Sequence, residues 1–280
     1  MTDPHSPVEA GRKTLAHRLT IGLLWTVLTP LLILPIVAIF VFAGRGGWDS
    51  FVKTILLPDA QFALRLSLWL ALWTSLANAI VGTFAVYVLS KHRFVGRGPL
   101  SVLVNLPVAI PTVVMGTSLI LLWGPIGLLG RYLVPLGFRP IFEPLGVFLA
   151  HVLVTFPYML GAVKPVLDEL EITYEEAAYT MGASRFRTFV YVILPSLKGG
   201  LFSGTLLTFA HSLGEFGATA MVSGNLRLKT QTAPLFIFAR FEAGQIEIAN
   251  AVAAVLAVLS FTIFLCLLRF TARPAREGPA

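Results

Sequence analysis

Five stretches of this chain run without a single Asp, Glu, Lys or Arg: residues 19–44, 66–90, 98–130, 144–163 and 248–268. Each reaches the roughly 20 apolar residues that an α-helix needs to cross the hydrocarbon of a bilayer. A sixth stretch, 199–222, is interrupted by one acid, Glu215. Core helices of a water-soluble protein rarely run so far without a charge, because one face normally meets solvent. The chain therefore reads as all-α and polytopic, with six transmembrane helices. Its 12% of charged residues is about half of what a soluble domain carries. The first run follows an 18-residue polar leader, and no small-residue cleavage site comes after it. It is expected to remain as a span rather than to leave as a signal peptide.

The net charge is +7. A basic balance can mark a nucleic-acid binder, but here the basic residues sort by side. With the N-terminus in the cytoplasm and six alternating spans, thirteen of the 21 Lys and Arg fall on the cytoplasmic side, among them Lys91, Arg93, Arg97, Lys164, Arg185, Arg187 and Lys198. That bias places both termini inside and makes membrane lipid, not nucleic acid, the partner that explains the charge. The expected organisation is a cytoplasmic tail at 1–18, a membrane domain at 19–270 containing a polar cytoplasmic loop at 164–198, and a second tail at 271–280. The one cysteine, Cys266, falls in the last span, so no intrachain disulfide forms and a buried packing role is expected.

Several positions shape the spans. In "LPVAIPT" (106–112), Pro107 and Pro111 are four apart on one face and are expected to break or kink the third helix. A hinge or cavity wall and a simple packing kink both fit. Residues 45–61 and the Gly- and Pro-rich 124–144 read as outer loops, the former with Trp48 near the interface. Gly200 and Gly204 form a small-xxx-small face for close helix contact. "TQTAPLFIFA" (230–239) is apolar but too short to cross, and reads as a re-entrant or interfacial segment.

The stretch "EEAAYTMGASRFRTFVYVILP" (175–195) lies in the polar loop between the fourth and fifth spans. Thr173 and Glu176 have the spacing of a capping box, and Glu175 and Glu176 suit the positive end of a helix dipole. Gly182 is placed to end the helix in a left-handed conformation, and Ser184 to cap a second helix running to Pro195. Ala177, Ala178 and Met181 give the helix a low-profile face that another protein can approach closely.

This stretch resembles the EAA signature of the inner-membrane permease subunits of ABC importers. That signature is Glu-Ala-Ala, three residues, Gly, nine residues, then Ile-x-Leu-Pro. Glu176, Ala177, Ala178, Gly182, Leu194 and Pro195 match in register, and Val192 replaces the isoleucine. The likeness extends over residues 62–268. There "LPVAIPT", "KPVLDEL" (164–170), "SLGEFGAT" (212–219) and "SGN" followed by "KTQTAPL" are similar to the permeases for sulfate- and molybdate-type oxyanions. The resemblance implies the type I ABC importer permease fold. It implies a place in a bacterial or archaeal cytoplasmic membrane, and transport of sulfate or thiosulfate, with molybdate or tungstate as the alternative. It implies as partners an ABC ATPase dimer, a second permease chain of the same or a related kind, and an extracytoplasmic anion-binding protein. Glu176, Ala177, Ala178, Gly182 and Ser184 would then form the coupling helix that docks in the ATPase, with Gly182 as its turn.

Glu215 lies within the expected fifth span, in the stretch 199–222. A charge at mid-membrane costs roughly 2.5–3.5 kcal/mol, so it is expected to face protein or water. His211, one turn earlier, is placed to pair with it. The resemblance puts Gly214, Glu215 and Gly217 at the gate or dimer axis of the path, with Pro107 and Pro111 as further path residues. A buried structural acceptor is the other reading. A proton relay through Glu215 and His211 would instead make the chain a proton-coupled secondary transporter. His151 in the fourth span reads as a packed polar residue. Arg227, Lys229 and Arg240 read either as an anion-attracting or protein-contacting cluster or as a solvated basic loop. The sequence contains no Gly-x-x-x-x-Gly-Lys-Ser/Thr loop, no His-Glu-x-x-His and no cysteine pair. No catalytic or metal site is expected, and the chain is expected to carry no cofactor of its own. ATP and Mg would bind on the partner ATPase.

Overall fold

The computed structural model describes residues 7–170 and 172–271. The elements in chain order are α1 (Pro7–Gly44), α2 (Gly47–Ile55), α3 (Pro58–Lys91), α4 (Arg97–Leu103), α5 (Leu106–Ala109), α6 (Thr112–Trp123), α7 (Gly130–Leu133) and α8 (Pro144–Glu169). After these come α9 (Ile172–Thr180), α10 (Arg185–Thr188), a π-helical turn at Phe189–Ile193, α11 (Leu194–Ser196), α12 (Lys198–Leu213), α13 (Gly217–Ser223), α14 (Ala233–Glu242) and α15 (Ile246–Thr271). No strand occurs among the described residues.

Four of these helices are long and apolar enough to cross a bilayer: Thr20–Gly44 of α1, all of α3, all of α8, and Ile246–Cys266 of α15. Two further helix pairs raise the number to six only if each bent pair counts as one span. Arg97–Ala109 and Thr112–Trp123 meet at 119°, and Arg185–Ser196 and Lys198–Leu213 meet at 69°. The first bend is the one the prolines predict. Pro111 has no N–H to give, and it forces the preceding Ile110 into an extended conformation (φ −96°, ψ 132°). The second bend falls at Leu197, just after Pro195, where the sequence reading ends the second helix of the loop at the mouth of the fifth span.

Several boundaries differ from the sequence reading. The stretch 199–222 is not one helix: α12 ends at Leu213, and α13 restarts at Gly217. The second span begins at Pro58, eight residues before its uncharged run, because Pro58 and Asp59 make a favourable first turn that outweighs Arg65. Helix α1 starts at Pro7, within the stretch expected as a polar tail. Residues 1–6 and 272–280 of the expected tails lie outside the described residues. Cys266 is exposed on α15 rather than buried.

At the centre, α3, α8 and α12 pack on one another. Small residues let them approach closely. A Cβ on Gly82 would lie 2.7 Å from Met159 Cγ, one on Gly200 2.8 Å from the Ala162 carbonyl, and one on Gly204 2.6 Å from Met159 Sδ. The small-xxx-small face is thus the α12–α8 contact. One apolar cluster (Leu70, Met115, Val147, Val154, Val222 and neighbours) ties α3 and α8 to α6 and α13. A second (Val86, Leu160, Val163, Ile193, Leu197) fixes the turn leading into α12, and a third (Leu64, Phe236, Val252) joins α3, α14 and α15. Helix α14 is a ten-residue helix held against α15 and α3, too short to cross. By contrast α1 packs on α15 and α2 and leaves Leu23, Trp25, Leu31 and Leu34 more than 60% exposed. In water each such side chain would forgo roughly 1.5–3 kcal/mol of burial; against lipid tails there is nothing to forgo.

Candidate functional site

The first assembly is the segment between α8 and α12. Helix α9 is closed by a complete Schellman motif. The N–H of Ala183 donates to the Ala178 carbonyl at 3.0 Å and that of Gly182 to Tyr179 at 2.9 Å, with Gly182 at φ +81°. The Ser184 hydroxyl then accepts the Arg187 N–H and caps α10, as the sequence predicts. Ile193 and Leu197, both fully buried, anchor this second limb to the bundle.

The start of α9 departs from the expected capping box. Thr173 is already helical, so it is not the cap, and the first-turn acid is Glu175. The alanine face also divides. Glu176 and Ala177 are exposed, but Ala178 is 4% exposed and turns inward, because adjacent helix positions lie about 100° apart. Met181 is exposed, as expected, and the outward surface is completed by Tyr174 and Phe186, which the signature does not mark; their apolar bulk in a polar loop was the available signal. Glu175 points back into the chain, with its carboxylate 2.5 Å from Lys91 Nζ at the end of α3. No local pattern announces that pairing, because the two residues lie 84 positions apart.

The second assembly is where two broken helices meet. The start of α6, just after Pro111, lies against the start of α13: a Cβ on Gly217 would crowd Thr112 and come within 3.1 Å of the Val113 nitrogen, and one on Gly116 would lie 2.8 Å from the Ala218 carbonyl. Pro111 and Gly217 are therefore brought together. Pro107 is buried at the start of α5, which packs on α8. Gly214 lies apart from the crossing, and with Phe216, Ile237, Phe238 and Phe241 lines an open apolar groove beside α14.

Glu215 is 8% exposed, and its Oε1 accepts the Ala218 N–H at 2.8 Å. A carboxylate there satisfies one of the free amides at the start of α13 and matches the positive end of its dipole. His211 does not pair with it; the imidazole stacks on Tyr158 with ring centroids 3.8 Å apart. His151 is a packed polar residue, as expected, with a structural task. Its ring nitrogens meet Ser212 Oγ at 2.7 Å and Thr219 Oγ1 at 2.8 Å, bridging the end of α12 and the start of α13 across the break. Thr155 returns a bond to the His151 carbonyl and accepts one from Asn78 of α3. A buried polar seam thus crosses the bundle.

The three basic residues of the 225–240 region are paired, not free. Arg227 and Arg240 reach the same oxygen of Asp59, at 2.7 and 2.6 Å, and Lys229 pairs with Glu143. Asp59 was missed, although its place directly after Pro58 is a helix-start signal. No group of three or more His, Cys, Asp or Glu fit to hold a metal occurs among the described residues.

A multi-span bundle with kinked, glycine-crossed helices and a punctuated helical loop standing off it has the architecture of a membrane permease subunit. The chain belongs to the family of binding-protein-dependent transport system inner membrane components, whose model matches residues 79–274. It is 34% identical over 233 residues to the sulfate transport system permease protein CysT of Escherichia coli, covering 83% of this chain and 84% of that protein. It is 38% identical over 229 residues to the sulfate transport system permease protein CysW of Synechocystis, covering 82% and 83% respectively. Among solved structures it superposes on a chain of a bacterial ABC transporter involved in the import of the acidic polysaccharide alginate, with a TM-score of 0.79 over 96% of this chain and 98% of that one, at 16% identity. The fold is that of the ABC importer permeases, and the chain is an inner-membrane, multi-pass permease.

Proposed function

We propose that this chain forms the translocation path of an ATP-driven importer for a tetrahedral oxyanion, sulfate or thiosulfate. The observation that carries the cargo is the identity of 34–38% to permeases named for sulfate transport, over more than four-fifths of the chain. The geometry supports the drive. Glu176, Ala177 and the apolar Tyr174, Met181 and Phe186 form an exposed surface on a segment set off by Gly182, suited to a socket in a soluble ATPase. The rest of the assembly in this reading is a second permease chain, two ATPase subunits that hold ATP and Mg, and an extracytoplasmic binding protein, with both termini of this chain in the cytoplasm. This chain performs no chemistry. ATP binding would draw the two docking segments together and open the path outward, and hydrolysis would reset it. The crossing at Gly116 and Gly217 is the close-packed point such a motion must respect. The Glu215 carboxylate is engaged by the Ala218 N–H in the first turn of α13, and His211 is stacked on Tyr158. This favours mechanical coupling over a proton relay.

Labelled sulfate uptake, measured in cells with and without the chain and repeated with competing molybdate, tests the cargo. Loss on deletion with little effect of trace molybdate is the expected result. Unchanged sulfate uptake with loss of molybdate accumulation would overturn the sulfate assignment and leave the coupling argument standing.

A further inference from the structure

Helix α3 touches both limbs of the docking segment. Lys91, its last residue, reaches Glu175 on α9 at 2.5 Å, with side chains only 20% and 12% exposed. Tyr87, one turn earlier, meets the ring of Phe189 edge-on in the π-helical turn, with centroids 4.8 Å apart. The ion pair differs from the neighbouring Lys164–Asp168 pair, whose side chains are about half exposed. Pairs open to water contribute little, whereas one largely withdrawn from it is screened far less. At its far end, 32 positions away, the same helix carries Asp59, which holds Arg227 and Arg240. Midway, Asn78 is bonded to Thr155 and the Val152 carbonyl on α8. One continuous helix therefore connects the docking segment to the loop and helix at the opposite face of the bundle.

We propose that the Lys91–Glu175 pair makes the docking segment and α3 a single moving body. Lys91 is then a positioning residue for coupling, and α3 is a second mechanical route beside the covalent one into α12. The proposal rests on the reading of 172–188 as the ATPase-docking segment. A helix is stiff along its axis, so a displacement delivered at Lys91 reaches Asp59 without passing through the bends at Leu197 or the break at 214–216. Glu175 is suited to this because it is the residue beside the docking face that points the other way.

The test uses the complete complex, with the chain, its ATPase and its binding protein in proteoliposomes, reading labelled sulfate moved per ATP hydrolysed. Lys91→Glu and Glu175→Lys are each expected to lower that ratio about five-fold or more, as for the loss of one coupling interaction. The double reversal is expected to recover most of it, and Lys91→Arg to retain it. Unchanged ratios in the single variants, or a double reversal no better than either, would overturn the proposal. Should the reversals fail to accumulate, a chain with Cys266→Ser, Lys91→Cys and Glu175→Cys is bridged by a short dithiol-reactive reagent. A rigid pair predicts that the bridged complex keeps cycling, and arrest on bridging would overturn the idea. A wild-type chain that neither holds nor stimulates the ATPase would instead refute the docking reading itself, and this proposal with it.

Discussion

Replacing Gly182 with valine is expected to abolish uptake while leaving the chain folded, inserted and able to assemble. Gly182 has φ +81°, and no atom beyond its own chain neighbours lies within 4 Å of where its Cβ would be. The added Cβ therefore meets open space, and the main cost is backbone strain. A non-glycine residue in the left-handed region costs roughly 1–2 kcal/mol, at the upper end for a β-branched side chain. That is enough to shift the elbow population by a factor of about 5–30. The strain is relieved by opening the Schellman closure of α9, which re-aims Tyr174, Ala177 and Met181. Helix packing in the membrane does not involve this residue. The check is purification of the complex followed by uptake and ATPase assays. Normal expression with ATP turnover no longer tied to transport is the predicted outcome. Normal uptake would remove the docking role from this elbow.

The other large effect is expected at the crossing of α6 and α13. Gly116→Val would place a Cβ 2.8 Å from the Ala218 carbonyl and 2.9 Å from its Cα, so backbone must move. Overpacking of this kind costs about 1–3 kcal/mol and at times more. Gly217→Val meets Thr112 and the Val113 nitrogen from the other side. Each variant is expected to lower the melting temperature of the solubilised chain by roughly 2–4 °C per kcal/mol and to lose transport, because the two breaks can no longer seat together. The same change at Gly161, where a Cβ would meet nothing within 4 Å, is the control and is expected to be mild. Equal melting temperatures for Gly116→Val and Gly161→Val would show that the crossing is not the close-packed point described.

The sequence was most informative where a local rule has one solution. Uncharged runs of about 20 residues define spans, Pro111 breaks its helix, Gly182 ends α9, and Ser184 caps α10. The spans are set by sustained hydropathy, and the other three by chemistry within a few residues. What was not legible depended on contacts distant in sequence. Asp59 gathers Arg227 and Arg240 from 168 and 181 residues away, and His151 bridges Ser212 and Thr219. No periodicity announces such partners. Glu215 and His211 lie one turn apart on paper, and the break at Gly214 defeats that helical geometry. Ala178 shows the limit of a motif: the signature marks three consecutive residues, but a helix cannot present all three to one partner.

The most direct measurement of the central claim is labelled sulfate accumulation in proteoliposomes containing the chain with its ATPase and binding protein. The account predicts accumulation that requires hydrolysable ATP and the binding protein, and that persists when a protonophore collapses the proton gradient. Accumulation that follows the proton gradient and proceeds without ATP would contradict it.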